Sequence, residues 1–321
     1  MTALRAECQV GSSMAAVDSF HLLYREVAKT CHNHLEFLAV VGALYTARKS
    51  LCILSDCYRL LRLHLTPCLL RRRDFVHEYG EWAVVTGATN SLGKAYAEAL
   101  AKRGMNVLLI CSKRETLHSV SEAIAVIYGV NANFIDVDFS RGPEVYPSIR
   151  RALRDLDVGI LVNNAAGFDE RPEGVVAMPE DTVWEIIHVN MAAAVMMAHI
   201  VLPGMVARKR GAIVNVISGS DGKSDAQTAA SKAYLETFSR KLDSEVSASG
   251  IFVQCLTPLH VGDAHTSHMF APSPDVYARH AVRTLGFSTR TTGYWAHSLQ
   301  VLACRWIPGW LCSSIGRFAQ Q

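Results

Sequence analysis

The chain has 321 residues, and its 32 Lys and Arg against 29 Asp and Glu leave a net charge of only +3. The basic residues form no patch of the kind a nucleic acid requires, so that class of partner is excluded. Half of the residues, 50%, are hydrophobic, enough for one large α/β domain with terminal extensions or for two small domains.

Nine cysteines (Cys8, Cys31, Cys52, Cys57, Cys68, Cys111, Cys255, Cys304 and Cys312) show neither a C-x-x-C pair nor a ligand-like spacing with histidine. That pattern speaks against a metal site and for reduced thiols in an intracellular protein.

Residues 1–80 form an extension of different composition. Met14 opens a helical pattern, M-A-A-V-D-S-F-H-L-L-Y-R-E-V, and would itself serve as a start with 1–13 as a disordered leader. From Leu35 to Leu70 the chain is rich in Leu, Val, Ala, Ile and Cys, is interrupted by Arg48, Lys49, Asp56, Arg59 and Arg62, and closes on Arg71-Arg72-Arg73. Its longest uninterrupted apolar run, Phe37 to Ala47, falls short of the roughly 20 residues a clean bilayer span needs. Four readings stay open: a basic helix lying on a membrane, an Arg-rich targeting segment, a short hydrophobic hairpin, or an arm packed on its own domain or a second subunit.

The folded domain is expected over residues 81–290. Trp82 to Thr86 is a β-branched buried strand, Thr86 to Gly93 a turn, and Lys94 to Arg103 a helix stopped by Gly104. A strand, a glycine turn and a helix within one unit place free N–H groups and a positive helix end beneath a pyrophosphate, at Gly87, Ser91, Leu92 and Gly93. The second strand, Asn106 to Ile110, runs into Cys111-Ser112-Lys113-Arg114. An acidic residue here would accept the ribose 2′-hydroxyl of NAD. Lys113 and Arg114 instead favour the 2′-phosphate of NADP, unless they are two solvated charges at the start of the helix Arg114 to Tyr128.

Strands follow at Asn131 to Val137, Val158 to Val162, Gly211 to Ile217 and Ile251 to Leu256, with helices over Glu180 to Met205, residues 229–249 and around Asp275 to Leu285. Strict alternation of this kind predicts an α/β fold, a doubly wound Rossmann-type parallel sheet with helices on both faces. His188 and His199 are assigned to packing or surface. Residues 291–321 form an aromatic tail with Tyr294, Trp295, Trp306 and Trp310, either a membrane-interface helix or a segment packed on the domain or a partner.

The stretch Ser218 to Lys232, S-G-S-D-G-K-S-D-A-Q-T-A-A-S-K, with T-G-A-T-N-S-L-G at 86–93 and N-N-A-A at 163–166, resembles the short-chain dehydrogenase/reductase family. The likeness runs from Trp82 to about Pro258 and is nearest to its 17β-hydroxysteroid dehydrogenase and long-chain 3-ketoacyl reductase branches. It implies that Ser218 polarises a carbonyl, that Lys232 serves catalysis and cofactor together, and that Asn190 holds a water beside that lysine. It further implies that Asp138 meets adenine and that Asn163 closes the floor of the cofactor site.

Several family positions are changed. Ser91 and Ala166 replace glycines, Leu259 and Asp263 replace the P-G glycine and the threonine that clamp nicotinamide, and Thr228 stands where the catalytic tyrosine belongs, four residues before Lys232. Ser218 and Thr228 lie ten positions apart, so the loop between them is shortened. Hydride reduction of a carbonyl needs a proton donor at the developing alkoxide. A phenol begins near ~10 and is lowered by an adjacent ammonium, whereas an aliphatic hydroxyl lies far outside that range. Tyr234, two residues after Lys232, is roughly 200° around the helix and would face away. The resemblance therefore implies an inactive family member with NADP(H) as its cofactor and a steroid, lipid or protein as its ligand; the alternative is an active NADP(H)-dependent 17β-hydroxysteroid or 3-ketoacyl reductase with a substitute proton donor. It also implies homodimers through the helices carrying Asn190 and Lys232, membrane contact through the termini, and a mitochondrial location or, as the alternative, the endoplasmic reticulum membrane.

Overall fold

The computed structural model describes residues 3–69, 73–165, 176, 178–217, 226–263 and 266–306. It divides into two units, residues 1–59 and residues 60–321.

The first unit is helical. Its helix α1, Ala3–Leu69, is continuous and extends into the second unit. An unbroken helix removes two expectations, the hairpin and the disordered leader ahead of Met14, because backbone hydrogen bonding carries through both places. The segment Leu22–Pro67 is long and apolar enough to cross a membrane by length and composition.

The second unit holds a seven-stranded parallel sheet in the order β3-β2-β1-β4-β5-β6-β7. Its strands are β1 Trp82–Thr86, β2 Asn106–Cys111, β3 Ala132–Asp136, β4 Val158–Asn163, β5 Gly211–Val216, β6 Ile251–Leu256 and β7 Arg290–Thr291. The central strands are buried along nearly their whole length, as continuous Val/Ile/Leu runs covered on both faces must be. On one face α3 (Ser91–Ala101), α4 (Arg114–Tyr128) and α9 (Pro274–Thr284) pack around Val85, Leu100, Leu109, Leu117 and Tyr277. On the other, α5 (Tyr146–Leu153), α7 (Ala193–Arg208) and α8 (Ala226–Val246) pack around Val84, Ile149, Leu161, Met197 and Ile213. Each such aliphatic side chain contributes about 1.5–3 kcal/mol by leaving water.

The remaining helices are α2 (Phe75–Tyr79), α6 (Glu180–Ile187) and α10 (Trp295–Trp306). Between α6 and α7 the five residues His188–Ala192 form a π turn, so the long helical pattern read from Glu180 to Met205 is two helices joined by a widened turn. β7 has only two residues, paired to Cys255 and Leu256, too few for any periodicity to announce it. The strand and α10 belong to the folded unit, with Ala296 and His297 fully buried. Trp310 lies outside the described residues. Arg73, the last of the basic triplet, is used inside the second unit: it pairs with Glu78, donates to the Leu285 carbonyl at 2.8 Å and lies over the Phe287 ring.

Candidate functional site

The strand order reverses at β1, with β2 on one side and β4 on the other. In doubly wound sheets the ligand crevice opens at that point, beyond the carboxyl ends of the strands. The turn after β1 is built for close approach. Gly87 has φ +63°, and a Cβ there would stand 2.6 Å from the Asn164 carbonyl oxygen; a Cβ on Gly93 would stand 2.4 Å from the Gly87 carbonyl oxygen. Neither position tolerates a side chain.

Asn90, which the sequence reading passed over, caps α3: its Oδ1 accepts from the Gly93 N–H at 2.6 Å. Helix α3 therefore begins at Ser91, three residues earlier than its pattern predicts, because the cap and not the apolar period sets its start. Asn164 Nδ2 donates to Asn90 Oδ1 at 3.1 Å and to the Gly87 carbonyl at 3.2 Å, while Thr86 Oγ1 accepts from the backbone N–H groups of Asn164 and Ala165 at 3.0 and 3.1 Å. The glycine turn is thus sewn to the end of β4. Ser91 and Leu92 occupy the first two helical positions, with Ser91 exposed, so its Cβ points away from the packed interior.

A cavity of about 220 Å³ opens beside this turn, lined by Gly87, Asn90, Ser112, Asp138, Ala165 and Glu185 among others. Thr89 Oγ1 and Cys111 Sγ meet across its wall at 2.8 Å. Asp138 is exposed and also caps the following 3-10 turn by accepting from the Ser140 N–H at 3.0 Å. Lys113 and Arg114 are exposed at the start of α4, next to the lining residue Ser112. These residues fit the adenosine and phosphate part of a dinucleotide: glycines that admit a pyrophosphate, a helix N-terminus beneath it, and polar side chains at the ribose end.

Asn163 has a different neighbourhood. It pairs in register with Asn215 on β5, and its Nδ2 donates to Asn215 Oδ1 at 2.8 Å and to the Ala194 carbonyl at 3.3 Å. Asn215 Nδ2 donates to Ser239 Oγ at 2.8 Å, and Ser239 donates to the Leu235 carbonyl at 2.6 Å. This buried polar chain ties the sheet to α7 and α8. Asn215 and Ser239 were missed in the sequence; the trace they left was an asparagine inside the apolar run of β5.

Thr228 and Lys232 lie one turn apart on α8, on the same face and half-buried. The helix start is fixed to α6 by Gln227, whose Nε2 donates to the Val183 carbonyl at 2.9 Å. Asn190 sits in the π turn, which packs against α8; π turns recur at functional sites because they redirect side chains. His188 in the same turn bonds the Ser140 carbonyl at 3.1 Å, a packing role. Ser218 lies outside the described residues, as does Ala166.

The cavity lining contains no tyrosine, and neither Thr228 nor Lys232 is part of it. Burial pushes Tyr96, Tyr146 and Tyr277 upward, away from neutral pH, and the Tyr277 hydroxyl donates to the Thr292 carbonyl at 2.7 Å. Tyr234 is exposed and stacks on Phe238 at 6.3 Å. The described residues contain no cluster of His, Cys, Asp or Glu that would hold a metal ion.

A parallel sheet of this order, with a glycine turn at its switch point and a lysine-bearing helix after its fifth strand, defines a nucleotide-binding oxidoreductase fold. The family model for short chain dehydrogenase matches residues 81–271, and the chain belongs to that family. It is similar to the inactive hydroxysteroid dehydrogenase-like protein 1 of Mus musculus, 53% identical over 309 residues, which span 93% of this chain and 94% of the relative. It is also similar to the very-long-chain 3-oxoacyl-CoA reductase of Mus musculus, 36% identical over 285 residues, or 86% and 90% of the two chains. Among solved structures, a short-chain dehydrogenase from Sphingobium yanoikuyae in complex with NADPH superposes with a TM-score of 0.56 at 27% identity, covering 63% of this chain and 82% of that one.

Proposed function

We propose that this chain is a catalytically inactive member of the family that acts by binding, with NADP(H) as its nucleotide and a steroid, lipid or protein as its partner. The observation that carries this is Thr228 one helical turn before Lys232. A threonine hydroxyl is too weak an acid to protonate an alkoxide near neutral pH, and it is too short to reach where a phenol would. Loss of a general acid costs roughly 10²–10⁴-fold in rate. The name of the mouse relative at 53% identity agrees with the reading. The NADPH in the Sphingobium structure, and the cavity of about 220 Å³ beside the glycine turn, support the nucleotide. Gly87, Ser91, Leu92 and Gly93 would hold its pyrophosphate, Asp138 and the exposed Lys113 and Arg114 its adenosine end, and Lys232 its other half. The group would supply hydride if the chemistry were intact.

Two measurements test this. Calorimetric titration with NADPH is expected to show binding, and absence of both heat and a thermal shift at millimolar NADPH would end the cofactor part. Steroid and 3-oxoacyl substrates with NADPH are expected to give no turnover at ordinary enzyme rates with the natural chain and measurable turnover with Thr228→Tyr. Ordinary rates from the natural chain would replace the reading with that of a working reductase using another proton donor.

A further inference from the structure

Helix α1 carries an apolar pattern that the domain does not explain. From Phe37 to Leu65 apolar residues recur at alternating steps of three and four: Phe37, Val40, Leu44, Ala47, Leu51, Leu54, Tyr58, Leu61 and Leu65. These are consecutive a and d positions of a heptad register, with none missed. All six charged residues of residues 36–65 fall elsewhere: Glu36 at g, Arg48 and Arg62 at e, Lys49 and Asp56 at f, and Arg59 at b. The register has a definite beginning, because one heptad earlier the a and d places hold Thr30 and Asn33. Every one of the nine seam residues is exposed, Leu44, Leu51 and Leu54 by 67%, 68% and 65%.

Where α1 runs within the second unit, the side chains that its surroundings half-bury are Leu60, Leu63, His64, Thr66 and Pro67, and His64 bonds Ser298 at 3.0 Å. Leu61 and Leu65, the heptad positions, stay exposed at 51% and 50%. That unit therefore uses the other side of the helix and leaves this stripe unfilled.

We propose that this stripe is a coiled-coil seam that pairs with the same stripe of a second copy of this chain. A strict 3.5-residue repeat kept over four heptads is what a partner helix selects, since the a and d side chains must return to the same line to interlock. A helix lying on a lipid surface wants a wider face at a 3.6-residue period. A bilayer interior would discriminate against Arg48, Lys49 and Asp56 at mid-segment, whereas a helix pair leaves all three off the seam. The seam is about 43 Å long at 1.5 Å per residue. The pairing is independent of nucleotide binding.

Light scattering on the full chain in detergent-free buffer tests it, together with vesicle co-sedimentation using phosphatidylcholine with added phosphatidylserine. Leu51→Glu with Leu54→Glu strikes the seam, and Leu38→Glu with Tyr45→Glu, at b positions, strikes the outer face. The seam pair is expected to halve the assembly mass and the outer pair to leave it unchanged, with the same melting of the α/β domain in both. An assembly mass that the seam pair does not lower overturns the proposal. So does a natural chain that is monomeric and binds vesicles with equal sensitivity to both pairs, which would assign the helix to lipid.

Discussion

The glycine turn and helix α8 are held by different kinds of constraint. At the glycine turn the constraint is steric and mutual: hydrogen bonds of 2.6–3.2 Å link Gly93 to Asn90 and Asn164 to Asn90 and Gly87, and a Cβ on either glycine would meet neighbouring backbone, so one change disturbs all four. On α8 the residue at 228 is half-buried on a helix face, and the helix is positioned by other groups, Gln227 to α6 and Ser239 to the sheet. A change at 228 should therefore cost the fold little, while a change in the turn should not.

The largest expected effect breaks the turn. Gly93→Ala should destabilise the domain by about 3 kcal/mol through a clash with backbone and remove the NADPH-induced thermal shift, whereas Thr228→Ala should cost under about 1 kcal/mol. Equal losses in thermal melts would erase the distinction between the turn and α8.

Acid should act on helix α10. His297, fully buried, accepts from the Leu259 N–H in the loop after β6 at 3.4 Å, and burial lowers its pKa from 6.5 to about 4. Between those values the unfolded chain binds more protons than the folded one. The stability is complete above about pH 6.5 and drains away as pH falls toward 4, by on the order of 3 kcal/mol. Melting curves over that range check it, and His297→Phe should flatten the slope.

The smallest effect sharpens the picture of the cap. Asn90→Ala should cost about 1 kcal/mol by leaving the Gly93 N–H uncapped, and it should weaken NADPH binding more than it lowers the melting temperature. A larger loss of stability than of affinity would make Asn90 a purely structural residue.

Much of this was visible in the sequence. The alternation of apolar runs with helical patterns gave the sheet and its crossovers, and Gly87 and Gly93 marked the turn, because both signals are local. What escaped depends on neighbours distant in the chain. Asn90 and Asn164 become partners only when β1 and β4 lie side by side, and the Asn163–Asn215–Ser239 chain exists only across three elements. A π turn has no composition of its own, and so Glu180 to Met205 read as one helix. The continuity of α1 across its charges was hidden for the opposite reason: each charge looked like an interruption when counted along the chain, and none lies on the line of the heptad.

The widened turn at His188–Ala192 bears on how the chain tolerates changes of length. A turn of this kind holds one residue more than a regular α turn, so removing one residue there would narrow it to the ordinary spacing and leave the helix beyond in nearly its present phase. Met197, Val201 and Met205 would stay against the sheet, buried as they are now. One residue removed from the regular part of α7 would instead turn everything beyond it by about 100° and should be far more damaging.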